Sequence, residues 1–167
     1  MRLILCLLVA AFPVLGLSVV QAGEKPGDYL TKDGKLKEPI EVRELQGGFA
    51  GFTGTFYLIE PDGSWGRGAV PPRAAKDQKL APKAQGKLTA EQLADLAKEF
   101  ARYNLANLPN HGKPVVNPQV VRIRFGTKVS ELQPARGNST PEEDQTIRAR
   151  YQGIAQAVKS LCKESKK

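Results

Sequence analysis

The chain is 167 residues long, 41% hydrophobic and 25% charged, with a formal net charge of +8 at pH 7. This length predicts one domain that buries enough apolar surface to fold without disulfide or metal staples. One histidine and two cysteines exclude a metal site with two histidine ligands and a disulfide-rich scaffold.

The first 22 residues are predicted to be a signal peptide. Arg2 precedes an apolar run at residues 3–20, which ends in the small residues Val20 and Ala22. This order of charge, apolar run and small residues is typical of a cleaved export signal. A run of about 18 apolar residues could also span a bilayer, so a retained anchor is the alternative. We expect cleavage near Ala22 and a secreted or periplasmic location.

The loss of Arg2 would leave 24 basic and 17 acidic residues, a net charge of +7, and Cys162 as the remaining cysteine. A lone thiol in an exported protein either pairs with another chain or is a small buried hydrophobe. Its position near the end of a helical pattern favours burial.

One folded domain is predicted at residues 39–162, followed by a basic tail at 163–167. Residues 23–38 show no hydrophobic period and are predicted to be a flexible leader. Within this leader, Tyr29 and Leu30 are candidate weak docking points.

The first two strands of the domain are predicted from their alternating side chains. Ile40 and Val42 share one face of the first strand, and Glu41 is expected on the exposed face. Residues 55–60 form a second strand that is apolar on both faces, so we expect it to be central and covered on both sides. A turn at residues 60–63 then leads into a third strand.

The connection between these strands, residues 45–56, contains four glycines and three phenylalanines. Glycine permits positive φ angles and close backbone approach, whereas phenylalanine supplies a large apolar area. The stretch is therefore either a structural bend or a contact surface. Which of the two holds depends on whether Phe49 and Phe52 point inward or outward.

Residues 66–87 are predicted to form a long basic loop rich in proline, alanine and lysine, which carries six basic residues and one acidic residue. The loop is interpreted as a solvated insertion or as a contact for anionic surfaces. The residues expected to make that contact are Arg73, Lys76, Lys79 and Lys83. No aromatic residues alternate with these charges, so we expect no nucleic-acid binding.

Two helices and two further strands complete the pattern. Thr89 and Gln92 form a capping box for a helix that buries Leu93, Leu96 and Phe100. Strands at residues 119–125 and 128–132 meet at a tight turn, with Arg122, Arg124 and Lys128 expected on a solvent face or at an acidic-partner site. A last helix starts near Thr140. The predicted fold is α+β, with a small antiparallel sheet of four to five strands packed by two helices in the order ββ(β)α-ββα.

The sequence offers no recognisable catalytic set. His111 and Cys162 could pair as base and nucleophile, but they lie in a remote loop and a terminal helix with no third orienting group. The glycines at 47–54 precede a strand rather than a helix, which argues against a dinucleotide site. We therefore expect a non-enzyme without cofactor or metal.

A family resemblance adds a candidate partner. The strand with Ile40, Val42 and Arg43 runs into Gly47, Gly48, Phe49, Ala50 and Gly51, and a Leu-Thr-x-x-Gln-Leu-x-x-Leu helix follows at residues 88–96. This pattern resembles the emfourin-type proteins, small bacterial inhibitors of thermolysin-like metallopeptidases. The resemblance covers residues 39–161, although the long basic loop and the export signal depart from it.

The resulting hypothesis is a secreted, non-catalytic protein-binding module, with a secreted metallopeptidase as the candidate partner. The alternative is an envelope-associated structural protein that contacts anionic surfaces through its basic loop. The predicted partner-binding residues are Gly47, Gly48, Phe49, Ala50, Gly51 and Phe52.

Overall fold

The computed structural model describes residues 24–75 and 77–164. The predicted signal peptide, Lys76 and the last three residues of the basic tail lie outside these ranges. Across the two described ranges, no helix has both the length and the apolar character needed to cross a membrane.

The fold is α+β, with one six-stranded antiparallel sheet in the order β4-β3-β2-β1-β5-β6. The elements are β1 (Ile40–Gly48), β2 (Gly51–Ile59), β3 (Ser64–Ala74), β4 (Gly86–Lys87), α1 (Ala90–Arg102), β5 (Gln119–Phe125), β6 (Lys128–Leu132) and α2 (Pro141–Glu164). The predicted class is confirmed, but the expected count of four to five strands is wrong. The additional strand is the two-residue β4, which is too short to show any alternation.

Both helices begin at the predicted caps and cover one face of the sheet. The backbone N–H of Gln92 donates to Thr89 Oγ1 over 3.2 Å, and the N–H of Thr89 donates to Gln92 Oε1 over 2.9 Å. The side chains packed beneath the helices include Ile40, Val42, Tyr57, Ile59, Leu93, Leu96, Phe100, Ile123, Tyr151, Ile154 and Val158.

The leader is part of the core, so its prediction as a flexible segment is wrong. Tyr29 and Leu36 are 2% and 1% exposed. The Tyr29 ring packs edge-on against Phe100 and Phe125, at centroid distances of 5.5 and 5.6 Å. The segment shows no hydrophobic period because Tyr29 and Leu36 pack against distant parts of the chain rather than against their neighbours.

The predicted long loop at 66–87 is also largely structured. β3 extends to Ala74, and it bulges where Pro71, Pro72 and Arg73 lie opposite the single residue Thr53. Prolines are tolerated at such a bulge because the backbone pairing is already interrupted there. Residues 77–85 then cross the sheet face opposite the helices, and we call them the strap.

The strap covers a second apolar cluster, formed by Leu45, Phe56, Val70, Leu80 and Val120. Leu80, from the strap itself, is 8% exposed. Phe56 lies in this cluster while Tyr57 lies under the helices. The predicted central strand with apolar cover on both sides is therefore confirmed.

The same face buries charges that were predicted to be exposed. Glu41 is 2% and Arg43 1% exposed, and Arg43 Nε lies 2.6 Å from Glu41 Oε1. Arg124 Nη2 lies 2.8 Å from Glu41 Oε2. Arg122 is also buried, with Nη1 3.6 Å from Glu131. The expected solvent face of Arg122 and Arg124 is thus replaced by an ion-pair network under and beside the strap.

We expect Arg43→Leu to destabilise the fold by about 3–5 kcal/mol, because Glu41 would lose its most buried partner. The measurement is urea unfolding of the purified domain. Arg43→Leu combined with Glu41→Leu should recover a large part of the loss, since the buried pair is then absent altogether. A single variant that loses less than about 1 kcal/mol would contradict this account.

Candidate docking surface

The large hydrophobic side chains that are exposed in the described ranges lie at one end of the sheet. They are Phe49, which is fully exposed, Val116 at 89% and Val115 at 45%. Phe49 is in the β1–β2 turn, and the two valines precede β5, which starts beside the end of β1. We call residues 47–52 together with residues 112–118 the hairpin end.

The register of the hairpin sends its two phenylalanines in different directions. Gly48 pairs with Gly51, so Phe49 and Ala50 form the turn, and Gly51 has a φ of +94°. Phe49 consequently projects from the tip. Phe52 is half-buried and packs against the second apolar cluster.

Glycine is required at two places in this hairpin because another part of the chain comes close, a proline ring at Gly47 and backbone at Gly54. A Cβ on Gly47 would lie 2.4 Å from Pro118 Cδ, and a Cβ on Gly54 would lie 1.9 Å from the Glu44 carbonyl oxygen. The Gly47 N–H donates to the Pro118 carbonyl over 2.7 Å. The glycines therefore shape the hairpin and bind the loop before β5 to it.

That loop contributes the two residues that the sequence analysis missed. Gln46 Nε2 donates to the Asn117 carbonyl over 2.9 Å, which holds the loop beside the tip. Val115 and Val116 stand next to each other between prolines, in a segment without strand or helix periodicity. Two adjacent apolar residues in such a loop were the available signal.

Of the six predicted contact residues, four are exposed and two face inward. Gly48, Phe49, Ala50 and Gly51 are exposed, Phe52 is half-buried, and Gly47 is buried against Pro118. The structure thus places Phe49, Val115 and Val116 at the same end of the sheet, whereas Gly47 and Phe52 pack against other residues of the chain.

A groove of about 550 Å³ with a mixed polar and apolar lining runs from the base of the hairpin towards α2. Its polar lining includes Gln46, Gln119, Gln133 and Arg148. Glu44, also in the lining, is engaged by Lys159 Nζ at 2.8 Å. Its charged groups are therefore held in place by partners within the chain.

The structure does not bring together the one conceivable nucleophilic pair. His111 Nε2 lies 2.7 Å from Asp144 Oδ1 at the start of α2, whereas Cys162 is near the end of that helix. Asp144 and Cys162 are about 27 Å apart at 1.5 Å per residue. Burial raises the pKa of the Cys162 thiol to about 12, which suppresses the reactive thiolate.

Metal ligands are likewise not gathered into a site. Within residues 24–75 and 77–164, no three His, Cys, Asp or Glu side chains form a group suited to a metal ion. The hairpin end itself carries no acidic side chain. It presents the apolar side chains of Phe49, Val115 and Val116 and the cation of Lys113 on a constrained backbone.

The His111 contact gives a pH-dependent prediction. Hydrogen bonds from Arg148 and then His111 lower the pKa of Asp144 below its usual 3.8. A carboxylate with a lowered folded-state pKa stabilises the fold above its unfolded pKa, and the contribution is lost as pH falls through the folded value. Asp144→Asn should therefore lower the melting temperature at pH 7, and the deficit should close below about pH 3.8.

The measurement is thermal unfolding of both proteins from neutral pH to pH 3. Asp33→Asn is the matched control, because Asp33 is exposed in a turn at the end of the sheet opposite Asp144. A deficit for Asp144→Asn that persists unchanged at pH 3 would show that the contact does not act through the charge.

Comparison of the sequence with known proteins gives no match. No protein-family model and no curated protein matches the sequence. The resemblance to the emfourin-type inhibitors rests on the signature around the hairpin and on the helix pattern at residues 88–96.

Proposed function

We propose that the protein is a secreted, non-catalytic protein-binding module that docks on its partner through the hairpin end. The observation that supports this most directly is the full exposure of Phe49 at the tip of a constrained hairpin. Burying a phenylalanine side chain in an interface is favourable by about 1.5–3 kcal/mol. Aromatic side chains surrounded by a rim that excludes water are typical anchors of protein interfaces.

The constraint on the hairpin matters because it lowers the entropic cost of binding. The Gly47–Pro118 hydrogen bond of 2.7 Å and the Gln46–Asn117 hydrogen bond of 2.9 Å tie the tip to the neighbouring loop. A contact surface that is ordered before binding loses less conformational freedom when the complex forms. This supports a docking role for Phe49 over that of an accidental exposed ring.

A thermolysin-like metallopeptidase is the candidate partner, on the basis of the family resemblance. The residues of the signature fall into a buried part and an exposed part. Ile40, Val42 and Arg43 are buried and support the hairpin from within the sheet. Residues 48–51 are exposed, so they are the part of the signature that a peptidase could contact.

We expect Phe49→Ala to weaken binding to thermolysin at least about tenfold, a loss of about 1.4 kcal/mol. The melting temperature should stay within about 2 °C of wild type, because an exposed side chain contributes little to stability. The measurements are inhibition of thermolysin and thermal unfolding. Lys35→Ala, at the opposite end of the sheet, is the control and should alter neither. A large fall in melting temperature, or unchanged inhibition by Phe49→Ala, would contradict the proposal.

A second candidate function is contact with anionic surfaces through the basic residues predicted above. Arg73, Lys79 and Lys83 are exposed and make no ion pair within the described ranges, while Lys76 lies outside them. Leu80 fixes the strap, so its charges are presented on an ordered surface.

We expect Lys79→Gln with Lys83→Gln to reduce sedimentation with phosphatidylglycerol vesicles if this candidate holds. The binding should also weaken steeply between about 50 and about 300 mM salt, because counterions screen exposed charges. Equal sedimentation of the variant and wild type would exclude the strap as the contact. Phe49→Ala should leave this binding unchanged.

A further inference from the structure

Three segments beside the hairpin turn carry exposed cations. They are the bulged end of β3 at residues 71–74, the loop at 110–118 before β5 and the loop at 133–139 after β6. Each carries one exposed cation, namely Arg73, Lys113 and Arg136. We call these three residues the basic rim.

Backbone contacts bring the basic rim around the hairpin. A Cβ on Gly51 would lie 3.6 Å from the Arg73 Cα, which places Arg73 directly beside the tip. On the other side, the Lys113 N–H donates to the Ala135 carbonyl over 2.9 Å, so Lys113 adjoins Arg136. The valines at 115 and 116 lie between Lys113 and the hairpin along the chain. Cations therefore flank the apolar surface on both sides.

The chain supplies little negative charge to balance this rim. Within the described ranges, none of the three rim residues makes an ion pair. Asp77, exposed in the strap, is the acidic residue nearest to Arg73 in sequence. Near Arg136, the acidic residues are those of the first turn of α2, where Asp144 is engaged by His111 and Arg148. Glu143 accepts a hydrogen bond from the Thr140 N–H over 2.9 Å, and Glu142 is exposed.

We propose that the partner protein presents an apolar site for Phe49 that is bordered by carboxylates, which pair with the basic rim. This inference rests on the proposed docking role of the hairpin end. Cations in the middle of an interface need partners once water is removed, whereas at its edge they remain partly hydrated. Carboxylates around the partner's apolar site would pair with the rim cations whether these lie in the middle of the interface or at its edge. Cations in that place on the partner would repel the rim.

The arrangement separates two contributions to binding. Charges at the rim accelerate association and make it sensitive to salt, whereas the buried anchor sets the dissociation rate. Rim variants should therefore act through the association rate, and Phe49→Ala through the dissociation rate. This difference allows the inference to be tested apart from the docking proposal.

The experiment is a selection of peptides from a random library displayed on phage, with the mature protein as bait and Phe49→Ala for counter-selection. Peptides that require Phe49 should combine an aromatic or aliphatic residue with several Asp or Glu residues. Their binding should fall at least about tenfold with Arg73→Glu, Lys113→Glu and Arg136→Glu combined. The control combines Lys32→Glu, Lys35→Glu and Lys163→Glu, which are exposed, remote and equal in charge change.

The outcomes separate the two proposals. Phe49-dependent peptides that are neutral or basic, or that bind the rim variant as well as wild type, would overturn the inference and leave the docking role standing. Recovery of no Phe49-dependent peptide would overturn both. Sedimentation with phosphatidylglycerol vesicles that requires Phe49, in place of peptide binding, would identify a membrane as the occupant and also overturn the inference. Equal melting temperatures of the two charge variants confirm that both are folded.

Discussion

The buried ion pair between Glu41 and Arg43 constrains the whole second face of the sheet. Both residues belong to β1, which lies in the centre of the sheet, and both are at most 2% exposed. An isolated charge at such a depth would cost several kcal/mol, so each carboxylate oxygen and guanidinium nitrogen needs a partner. Arg124 of β5 forms an ion pair with the second carboxylate oxygen of Glu41. The Gln78 carbonyl of the strap accepts a hydrogen bond from Arg43 Nη2 over 2.6 Å. The pair thereby fixes where the strap must lie.

This requirement explains why one face of the protein was predictable and the other was not. The helix face follows from local rules, namely alternation in the strands, capping at Thr89 and an apolar stripe on α1. On the strap face, Glu41 occupies a position that alternation assigns to solvent. Its burial depends not only on the neighbouring Arg43 but also on Arg124 and the strap, which are far away in sequence and which no local pattern contains. The same reason hides the core role of Tyr29, whose ring partners Phe100 and Phe125 are about 70 and about 95 residues away.

The candidate site shows the same division between local and distant causes. The glycines and phenylalanines of residues 45–56 marked the hairpin in the sequence, because that composition has no other ready explanation. The direction of Phe49 depends on the register, which places Gly48 opposite Gly51 and leaves Phe49 in the turn. A shift of one residue would exchange the faces of every side chain in the strand. Val115 and Val116 join the surface only because Pro118 meets Gly47, a contact between separate parts of the chain.

The tip of the hairpin is exposed, whereas the strands behind it are buried on both faces. Because β1 and β2 are covered by helices on one face and by the strap on the other, the hairpin extends from a core that is closed on both sides. The stability of the domain then does not depend on Phe49, whose side chain contacts solvent. An exposed apolar ring at such a position supports the proposal of a partner that covers it. The constraint by Gly47 and Pro118 gives that ring a fixed place from which to bind.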